Sequence, residues 1–303
     1  MLMNSSPVST DPLALRERAG VRVAFLGIGL MGSRMSTRLL QAGHHLSIWN
    51  RTRAATEPLA AQGAQVLPDL SQPIEADVIG LCLADDAAVQ QVASQIMPQL
   101  QAGQIVVDFS SITAETTRDL AQLAQARGAF WVDAPVSGGV IGAEQGTLVI
   151  FAGGDSTAIA QLTDFFAPLS QRVTHMGASG AGQVTKICNQ LIVAANSTLI
   201  AEAVALAQRA GVNASQLAPA LAGGFADSKP LQILAPRMAS QTFEPVQWKV
   251  QTLNKDLNNA LNLAQSFSLS IPVAQHAQQR LQQQVDAGQA AADLSSIIQL
   301  YVK

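Results

Sequence analysis

The 303-residue sequence has few of the residues that mark disulfide-rich, metal-binding or nucleic-acid-binding proteins. Its two cysteines, Cys82 and Cys188, lie far apart inside apolar runs, so we interpret them as buried small hydrophobic residues. The four histidines show no HExxH or HxH spacing, and we therefore predict that there is no catalytic metal. A net charge of −3 provides no basic field for nucleic acid or an acidic membrane.

Long uninterrupted apolar runs are also lacking. No such run has the length that a membrane-spanning helix needs, and the first 20 residues lack the apolar stretch of a signal peptide. We therefore predict a mobile tail over residues 1–20 and a cytoplasmic protein.

Apolar residues make up 48% of the chain, enough for a sizeable core, and the length suggests about two domains. The first half alternates short apolar runs with amphipathic stretches, which is typical of a mostly parallel sheet covered by helices on both faces. The predicted strands are 21–26, 46–50, 78–83, 105–108, 130–133, 148–152 and 173–175. The predicted helices between them are 31–42, 52–62, 87–97, 113–127 and 156–169.

The pattern changes near residue 180. Residues 183–209 contain no glycine or proline and predict one long helix of about 40 Å. Further helical segments follow, so we predict a sheet domain over 21–180 and an all-helical domain over 181–303. A helix of that length seldom packs only within a small domain, which favours a homodimer or homotetramer formed through the helical domain.

A glycine motif lies at the first predicted strand–helix junction. Gly27-Ile28-Gly29-Leu30-Met31-Gly32 matches G-x-G-x-x-G, follows an apolar β-type run and begins a helix, which is the context that gives the pattern meaning. Its glycines allow a tight turn, close approach of a pyrophosphate and close helix–strand packing. The sheet domain is therefore predicted to be a Rossmann-type, doubly wound dinucleotide-binding domain.

The end of the second predicted strand, Asn50-Arg51-Thr52, indicates which dinucleotide binds. NAD-binding chains carry an Asp or Glu at about this distance from the glycines, where it holds the ribose 2′-hydroxyl. Here the position is neutral and an arginine follows it. Because a guanidinium pairs with a 2′-phosphate and a carboxylate repels it, we predict NADP, with NADPH preferred over NADH.

Three further segments complete a recognisable set: Asp133-Ala134-Pro135-Val136-Ser137-Gly138-Gly139, Gly182-Gln183-Val184-Thr185-Lys186-Ile187-Cys188-Asn189-Gln190, and Asn254-Lys255-Asp256. With the glycine motif and Trp49-Asn50-Arg51-Thr52, they make the chain resemble the β-hydroxyacid dehydrogenase family over about residues 21–300. The resemblance implies a Rossmann-type domain joined to a helical domain, with a small carboxylate-bearing substrate bound in the cleft between them.

The resemblance also implies roles for individual residues. Lys186 takes the position of the family's catalytic lysine, and Asn189 and Gln190 follow it as amide-bearing members of the catalytic group. Ser137-Gly138-Gly139 corresponds to the loop that binds the substrate carboxylate.

Four more positions follow from the same resemblance. Ser111 occupies a position near the nicotinamide, and Lys255 matches a lysine near the cofactor. Asp256, the acidic neighbour of that lysine, is assigned to the substrate-binding residues, as is Trp248, which falls where a side chain lines the substrate pocket.

The residues support carbonyl reduction independently of the family. Hydride addition leaves negative charge on oxygen, which an ammonium group can stabilise and protonate. Lys186 is the only lysine or arginine between Arg172 and Arg209, and Asn189 and Gln190 share its helix face. A lysine whose ammonium group reaches the surface is the alternative interpretation of Lys186.

Two alternative functions remain open at this point: imine reduction on the same architecture, and a non-catalytic NADP-binding module. The retained lysine counts against the first, and the retained carboxylate loop against the second. The substrate is also open. Asn189-Gln190 is similar to tartronate semialdehyde reductases, whereas Trp49-Asn50-Arg51-Thr52 and Trp248 are more similar to glyoxylate/succinate semialdehyde reductases.

Overall fold

The computed structural model describes residues 20–302. The predicted mobile tail, apart from Gly20, lies outside the described residues. The chain divides into two compact units, the first ending at Lys186 and the second beginning at Ile187. This division falls inside a helix rather than in a loop.

The first unit is built on a sheet that has nine strands within the described residues. The strands are β1 (Arg22–Leu26), β2 (His45–Trp49), β3 (Gln65–Val66), β4 (Val78–Leu81), β5 (Ile105–Asp108), β6 (Phe130–Asp133), β7 (Val136–Ser137), β8 (Leu148–Gly153) and β9 (Ser170–Gly177). Their order is β3-β2-β1-β4-β5-β6-β8-β7, with β9 also paired to β8. Neighbours from β3 to β6 are parallel, β8 is antiparallel to β6 and β7, and β9 is parallel to β8.

Helices connect most of these strands. They are α1 (Leu30–Gln41), α2 (Glu57–Ala60), α3 (Asp86–Ile96), α4 (Ala114–Gln125), α5 (Gly139–Gln145), α6 (Ser156–Gln161) and α7 (Thr163–Phe166). Side-chain caps fix where three of them begin. Asp85 accepts from the Ala88 N–H, Thr113 accepts from the Thr116 N–H, and Asp155 accepts from the Thr157 and Ala158 N–H groups.

Some predicted boundaries were wrong. The helix predicted over 156–169 is two helices, separated at Leu162, whose ψ of 6° is not helical. The helix predicted over 52–62 is a 3₁₀ turn followed by the four-residue α2, with Pro58 near the α2 start. The last strand is longer than predicted, and β3, β7 and α5 were not predicted because each is short and has little apolar periodicity.

Alternation along β1 shows why the sheet is covered on both faces. Val23 and Phe25 belong to one buried hydrophobic cluster, whereas Ala24 and Leu26 belong to another. Side chains on a strand point to opposite faces in turn, so the sheet has a core on each side. This confirms the predicted Rossmann-type fold class.

The strand order also determines where a ligand can bind. β1 lies between β2 and β4, so the chain leaves β1 towards β2 on one side and reaches β4 on the other. In open α/β sheets, ligands bind at the carboxyl ends of the strands where the order reverses in this way. The glycine motif follows β1 directly and therefore lies at this point.

The second unit is helical. Its helices are α8 (Ala181–Arg209, which begins in the first unit), α9 (Leu217–Leu221), α10 (Lys229–Ser240), α11 (Val250–Ser266) and α12 (Pro272–Gln284). Within residues 178–302, β-pairing is limited to an isolated bridge between Lys249 and Asp293. A separate hydrophobic cluster forms the core, to which α8 contributes Ala194, Ala201 and Val204.

Helix α8 corrects two expectations. Its 29 residues are long and apolar enough to cross a membrane by length and composition alone. Polar residues such as Lys186, Asn189 and Gln190 nevertheless interrupt its apolar sequence. Core helices of globular proteins pass the same test, and the buried Ala194, Ala201 and Val204 pack as core residues do. Cys188, expected to be buried, is exposed on this helix, because it lies on the same face as Ile192, one turn later, and that face is exposed within residues 20–302.

Candidate active site

Each glycine of the motif after β1 has its own structural use. Gly27 has a φ of +105°, a value that residues with side chains rarely adopt. A side chain on Gly32 would overlap the Gly27 carbonyl, whereas the space beside Gly29 is open. Open backbone at the start of α1 is what close approach of a dinucleotide pyrophosphate requires, so these residues fit that group.

Asn50, at the end of β2, connects this turn to the next one. Its side-chain oxygen accepts from the Ile28 N–H (3.0 Å), and its side-chain nitrogen donates to the Thr52 carbonyl (2.9 Å). Aspartate could make the first bond but not the second. Arg51 and Thr52 are exposed, so the turn presents a cation and a hydroxyl rather than a carboxylate. Leu30, in the glycine motif, is 71% exposed and Met31 is half-buried.

The turn after β5 carries Ser110 and Ser111. Ser110 is buried: its hydroxyl accepts from the Leu83 N–H (2.9 Å), and its N–H donates to Asp108 (2.9 Å). Ser111, the residue that the family resemblance placed near the nicotinamide, is half-buried. Ser110 therefore holds the turn and leaves Ser111 as the more accessible of the two.

Lys186 and the predicted carboxylate loop come together in the first unit. The Lys186 ammonium donates to the Val136 carbonyl at 2.8 Å. Val136 and Ser137 form β7, and Gly138 and Gly139 follow with φ values of +130° and +61°. Both glycines are exposed and Ser137 is half-buried, so an ammonium, a hydroxyl and accessible backbone lie in one neighbourhood.

Two buried residues beside Lys186 were not predicted as site residues. Gln183 lies one helical turn before Lys186 and is 1% exposed. Asp133, the last residue of β6, is fully buried and accepts from the Gly180 N–H (2.9 Å) and the Gln183 N–H (3.0 Å). The signal was present in the sequence, because both are polar residues inside the recognised motifs, and Gln183 is spaced i, i+3 from the lysine.

The remaining predicted polar residues form a chain of contacts in the second unit. The Asn189 amide donates to the Gln190 side-chain oxygen (2.9 Å), and Gln190 donates to Asp256 (2.5 Å). Lys255 lies 3.8 Å from the Asp256 carboxylate. Gln190 is 2% exposed, so its side chain fixes the orientation of Asn189 rather than facing solvent.

Trp248 has different surroundings. Its side chain is half-buried and packs against the hydrophobic core of the second unit, and its backbone N–H donates to the Asp293 carboxylate (3.3 Å). Within residues 20–302, no group of three or more His, Cys, Asp or Glu side chains could hold a metal ion.

Burial controls the ionisation of the groups at the strand ends. It raises the pKa of Asp108 to about 7, although hydrogen bonds from Ser110 oppose the shift. Burial also raises the pKa of Asp133, against the backbone N–H groups that it accepts. The pKa of the Cys82 thiol rises to about 12, through burial and then through the nearby Asp108 charge, so this thiol stays protonated and is not a nucleophile.

Comparison with known proteins agrees with this geometry. Residues 22–177 match the NAD binding domain of 6-phosphogluconate dehydrogenase, and residues 180–301 match the NAD-binding domain of NADP-dependent 3-hydroxyisobutyrate dehydrogenase. The chain is 35% identical to 2-hydroxy-3-oxopropionate reductase of Escherichia coli over 92% of this chain and 96% of that protein.

Solved structures give the same result. The 3-hydroxyisobutyrate dehydrogenase of Mycobacterium tuberculosis, described with L-serine, has a TM-score of 0.85 and 29% identity over 93% of this chain and 99% of that one. A protein described as Psf3 in complex with NADP⁺ and 2-OPP has a TM-score of 0.80 and 26% identity, over 92% and 99% of the two chains.

The fold and these matches define an NAD(P)-dependent oxidoreductase with a Rossmann-type domain and a helical domain. More narrowly, the chain belongs to the β-hydroxyacid dehydrogenase family, the hydroxyacid dehydrogenases and semialdehyde reductases that the sequence motifs had indicated. The predicted family and enzyme class are thereby confirmed.

Proposed function

We propose that this enzyme reduces the carbonyl of a small, carboxylate-bearing semialdehyde to a hydroxyacid, and catalyses the reverse reaction, with Lys186 as general acid and base. The observation that carries the proposal is the 2.8 Å contact between the Lys186 ammonium and the Val136 carbonyl, next to Ser137-Gly138-Gly139. It keeps a proton donor beside the loop proposed to bind the carboxylate.

Bound NADPH supplies the hydride that reduces the carbonyl carbon. Lys186 supplies what the oxygen then needs, which is a nearby positive charge and a proton. The Ser137 hydroxyl and the exposed backbone of Gly138 and Gly139 bind the substrate carboxylate, because oriented donors form an anion-binding hollow. The carboxylate contacts place the carbonyl within reach of the ammonium.

Asn189 is proposed to contact the substrate, whereas Gln190 and Asp256 act behind it. The support is the chain of hydrogen bonds from Asn189 to Gln190 and from Gln190 to Asp256, with Gln190 buried. Lys255 is proposed to contact the cofactor and Trp248 to line the substrate pocket, both on the family resemblance.

For the substrate, 2-hydroxy-3-oxopropionate (tartronate semialdehyde) is the first candidate. The Asn189-Gln190 pair favours it, and so does the name of the E. coli relative. Glyoxylate and succinate semialdehyde are the second candidates, on Trp49-Asn50-Arg51-Thr52 and Trp248. Imine reduction and a non-catalytic NADP-binding role are disfavoured because Lys186 and the carboxylate loop are both retained.

The preference for NADPH is proposed from the turn after β2. Both polar ends of the Asn50 side chain are engaged in the turn, which leaves the exposed Arg51 to pair with a 2′-phosphate. Arg51→Ala should raise the KM for NADPH, with a loss of about 1.5–3 kcal/mol, and leave the KM for NADH unchanged. Arg53→Ala, an exposed arginine two residues on, is the matched control and should have the smaller effect. Equal weakening for both cofactors would contradict the assignment.

Assembly into a homodimer or homotetramer through the helical domain is proposed as well. Large apolar side chains repeat every seven residues on the exposed face of α8, at Ile192, Leu199 and Leu206, each more than 60% exposed. A stripe with that period is typical of a helix that packs against another helix.

The reaction is tested by single-turnover hydride transfer with Lys186→Ala. The ammonium matters most when charge develops on the carbonyl oxygen, so the rate should fall about 10²–10⁴-fold while NADPH still binds. The parent enzyme and the variant are each measured with four candidate substrates: 2-hydroxy-3-oxopropionate, glyoxylate, succinate semialdehyde and methylmalonate semialdehyde.

Lys186→Arg is the matched variant. It keeps the positive charge, but guanidinium does not readily release a proton at neutral pH, so it should restore little of the rate. If the alanine variant transferred hydride as fast as the parent enzyme, Lys186 would not be the acid.

A further inference from the structure

A buried polar bridge joins the turn after β5 to the helical turn that carries Lys186. The Gln183 amide nitrogen donates to the Ser110 carbonyl (2.8 Å), and its oxygen accepts from the Ile112 N–H (3.3 Å). Gln183 and Ser110 are 1% and 2% exposed. Both polar ends of one side chain are therefore used, away from water, on the turn that contains Ser111.

The same helical turn is held from beneath by Asp133. Its two carboxylate oxygens accept from the backbone N–H groups of Gly180 and Gln183 (2.9 and 3.0 Å). A carboxylate in this position also complements the positive end of the α8 dipole. A side chain on Gly182 would overlap the Phe151 carbonyl, so the backbone of the turn lies directly against the strand ends.

Lys186 is thus fixed at both ends. One turn before it, Gln183 and Asp133 hold the helix backbone, and at its tip the ammonium donates to the Val136 carbonyl. We propose that Gln183, supported by Asp133, is a positioning residue. It sets the location of the Lys186 ammonium relative to the turn of Ser110, Ser111 and Ile112, which is proposed to lie beside the nicotinamide. This inference rests on the proposed role of Lys186.

Gln183→Met tests the inference, because methionine has a similar length but makes neither hydrogen bond. Single-turnover hydride transfer should fall on the order of 10–100-fold, since small misplacement of a catalytic group has effects of that size. The KM for NADPH should not change. In a Lys186→Ala background, the same substitution should cost little further rate, because residues that act through one another are not additive.

Gln104→Met is the matched control. Gln104 is also a buried glutamine of the first unit, bonded to the Ile74 and Ala76 carbonyls and the Gln101 N–H (2.9, 2.7 and 2.9 Å), but it precedes β5 at the opposite end of the strand. Its replacement should lower thermal stability without slowing hydride transfer. A similar loss of rate in both glutamine variants would show a general structural effect and overturn the inference.

The two proposals fail separately. If Lys186→Ala is slow but Gln183→Met is as fast as the parent, or if the Gln183→Met loss is the same with and without Lys186, only the positioning role is overturned. If Lys186→Ala is not slow, the proposed function is overturned and the positioning role falls with it. Should Gln183→Met not fold, Gln183→Leu also removes both hydrogen bonds, with a shorter side chain. That variant should show a similar loss, and an unchanged rate would overturn the role.

Discussion

The two units bury their carboxylates in opposite ways. In the sheet unit, Asp108 and Asp133 are fully buried at the ends of adjacent strands. Neither carboxylate belongs to an ion pair within residues 20–302. In the helical unit, the buried Asp293 lies 3.4 Å from Arg237. It also accepts from the Ser295 hydroxyl and the Gln247 N–H (2.5 and 2.7 Å).

The surroundings decide the direction of each pKa. Burial dominates at Asp108 and raises its pKa to about 7. Burial alone would raise the pKa of Asp293 too, but hydrogen bonds from Ser295, Gln247 and Trp248 outweigh it and the pKa is lowered. Burial therefore does not set the sign of the shift by itself. The sign depends on the balance between burial and the hydrogen bonds that stabilise the charged carboxylate, and at Asp133 burial prevails although backbone N–H groups donate to it.

Asp108 and Asp293 should consequently contribute to the pH dependence of stability with opposite signs. Asp293, with its lowered pKa, stabilises the folded state above the pKa of the unfolded chain, and that stability is lost as the pH falls through the folded value. Asp108 holds its proton more tightly when folded, so its contribution is largest at acidic pH. That contribution is lost as the pH rises from about 4 to about 7.

The largest effect is expected for Asp293→Ala. The substitution leaves the Arg237 guanidinium without its carboxylate and removes the acceptor for three backbone N–H groups, those of Gln247, Trp248 and Ser295. We expect a loss of about 3–5 kcal/mol in the free energy of unfolding, measured by urea denaturation at pH 7. Asp77→Ala provides the exposed control, because Asp77 pairs with Arg22 at 2.7 Å on the surface. It should cost about 1 kcal/mol or less. Equal losses would show that burial of the pair is irrelevant.

A smaller, pH-dependent effect is expected for Asp108→Asn. Asparagine keeps an acceptor for the Ser110 N–H but cannot ionise, so the variant should lose less stability than the parent between pH 4 and pH 7. The difference should be a few kcal/mol, on the order of 1.4 kcal/mol for each unit of pKa shift. The measurement is urea denaturation across that pH range. Parallel stability curves for the two proteins would mean that Asp108 does not titrate there.

The sheet unit was the more predictable from sequence. Strands buried on both faces, such as β4 and β5, are short apolar runs, and the glycine motif fixes where the first helix begins. Elements without such a pattern were missed. β7 has only two residues, and it forms because Val136 and Ser137 pair with β8, a tertiary contact that local sequence does not encode.

The residues of the candidate site also differ in how far the sequence could predict their roles. Residues inside motifs, including Lys186, Ser137 and Asn50, could be proposed from spacing and family resemblance. Gln183 also lies inside a motif, three residues before the lysine, but its role could not be proposed from that position. The role comes from bonds to Ser110 and Ile112, more than 70 residues earlier in the chain. Sequence patterns identify residues that carry charge or permit a turn, but not those that join distant segments.

The double use of Asn50 restricts how cofactor preference can change. Its amide both accepts from the glycine turn and donates to the Thr52 carbonyl. An aspartate here, the residue that would favour NAD, keeps only the first bond and brings its negative charge close to the Thr52 carbonyl. A switch of cofactor therefore needs a compensating change in residues 51–53, so a mutational route that begins at position 50 starts with a less ordered turn.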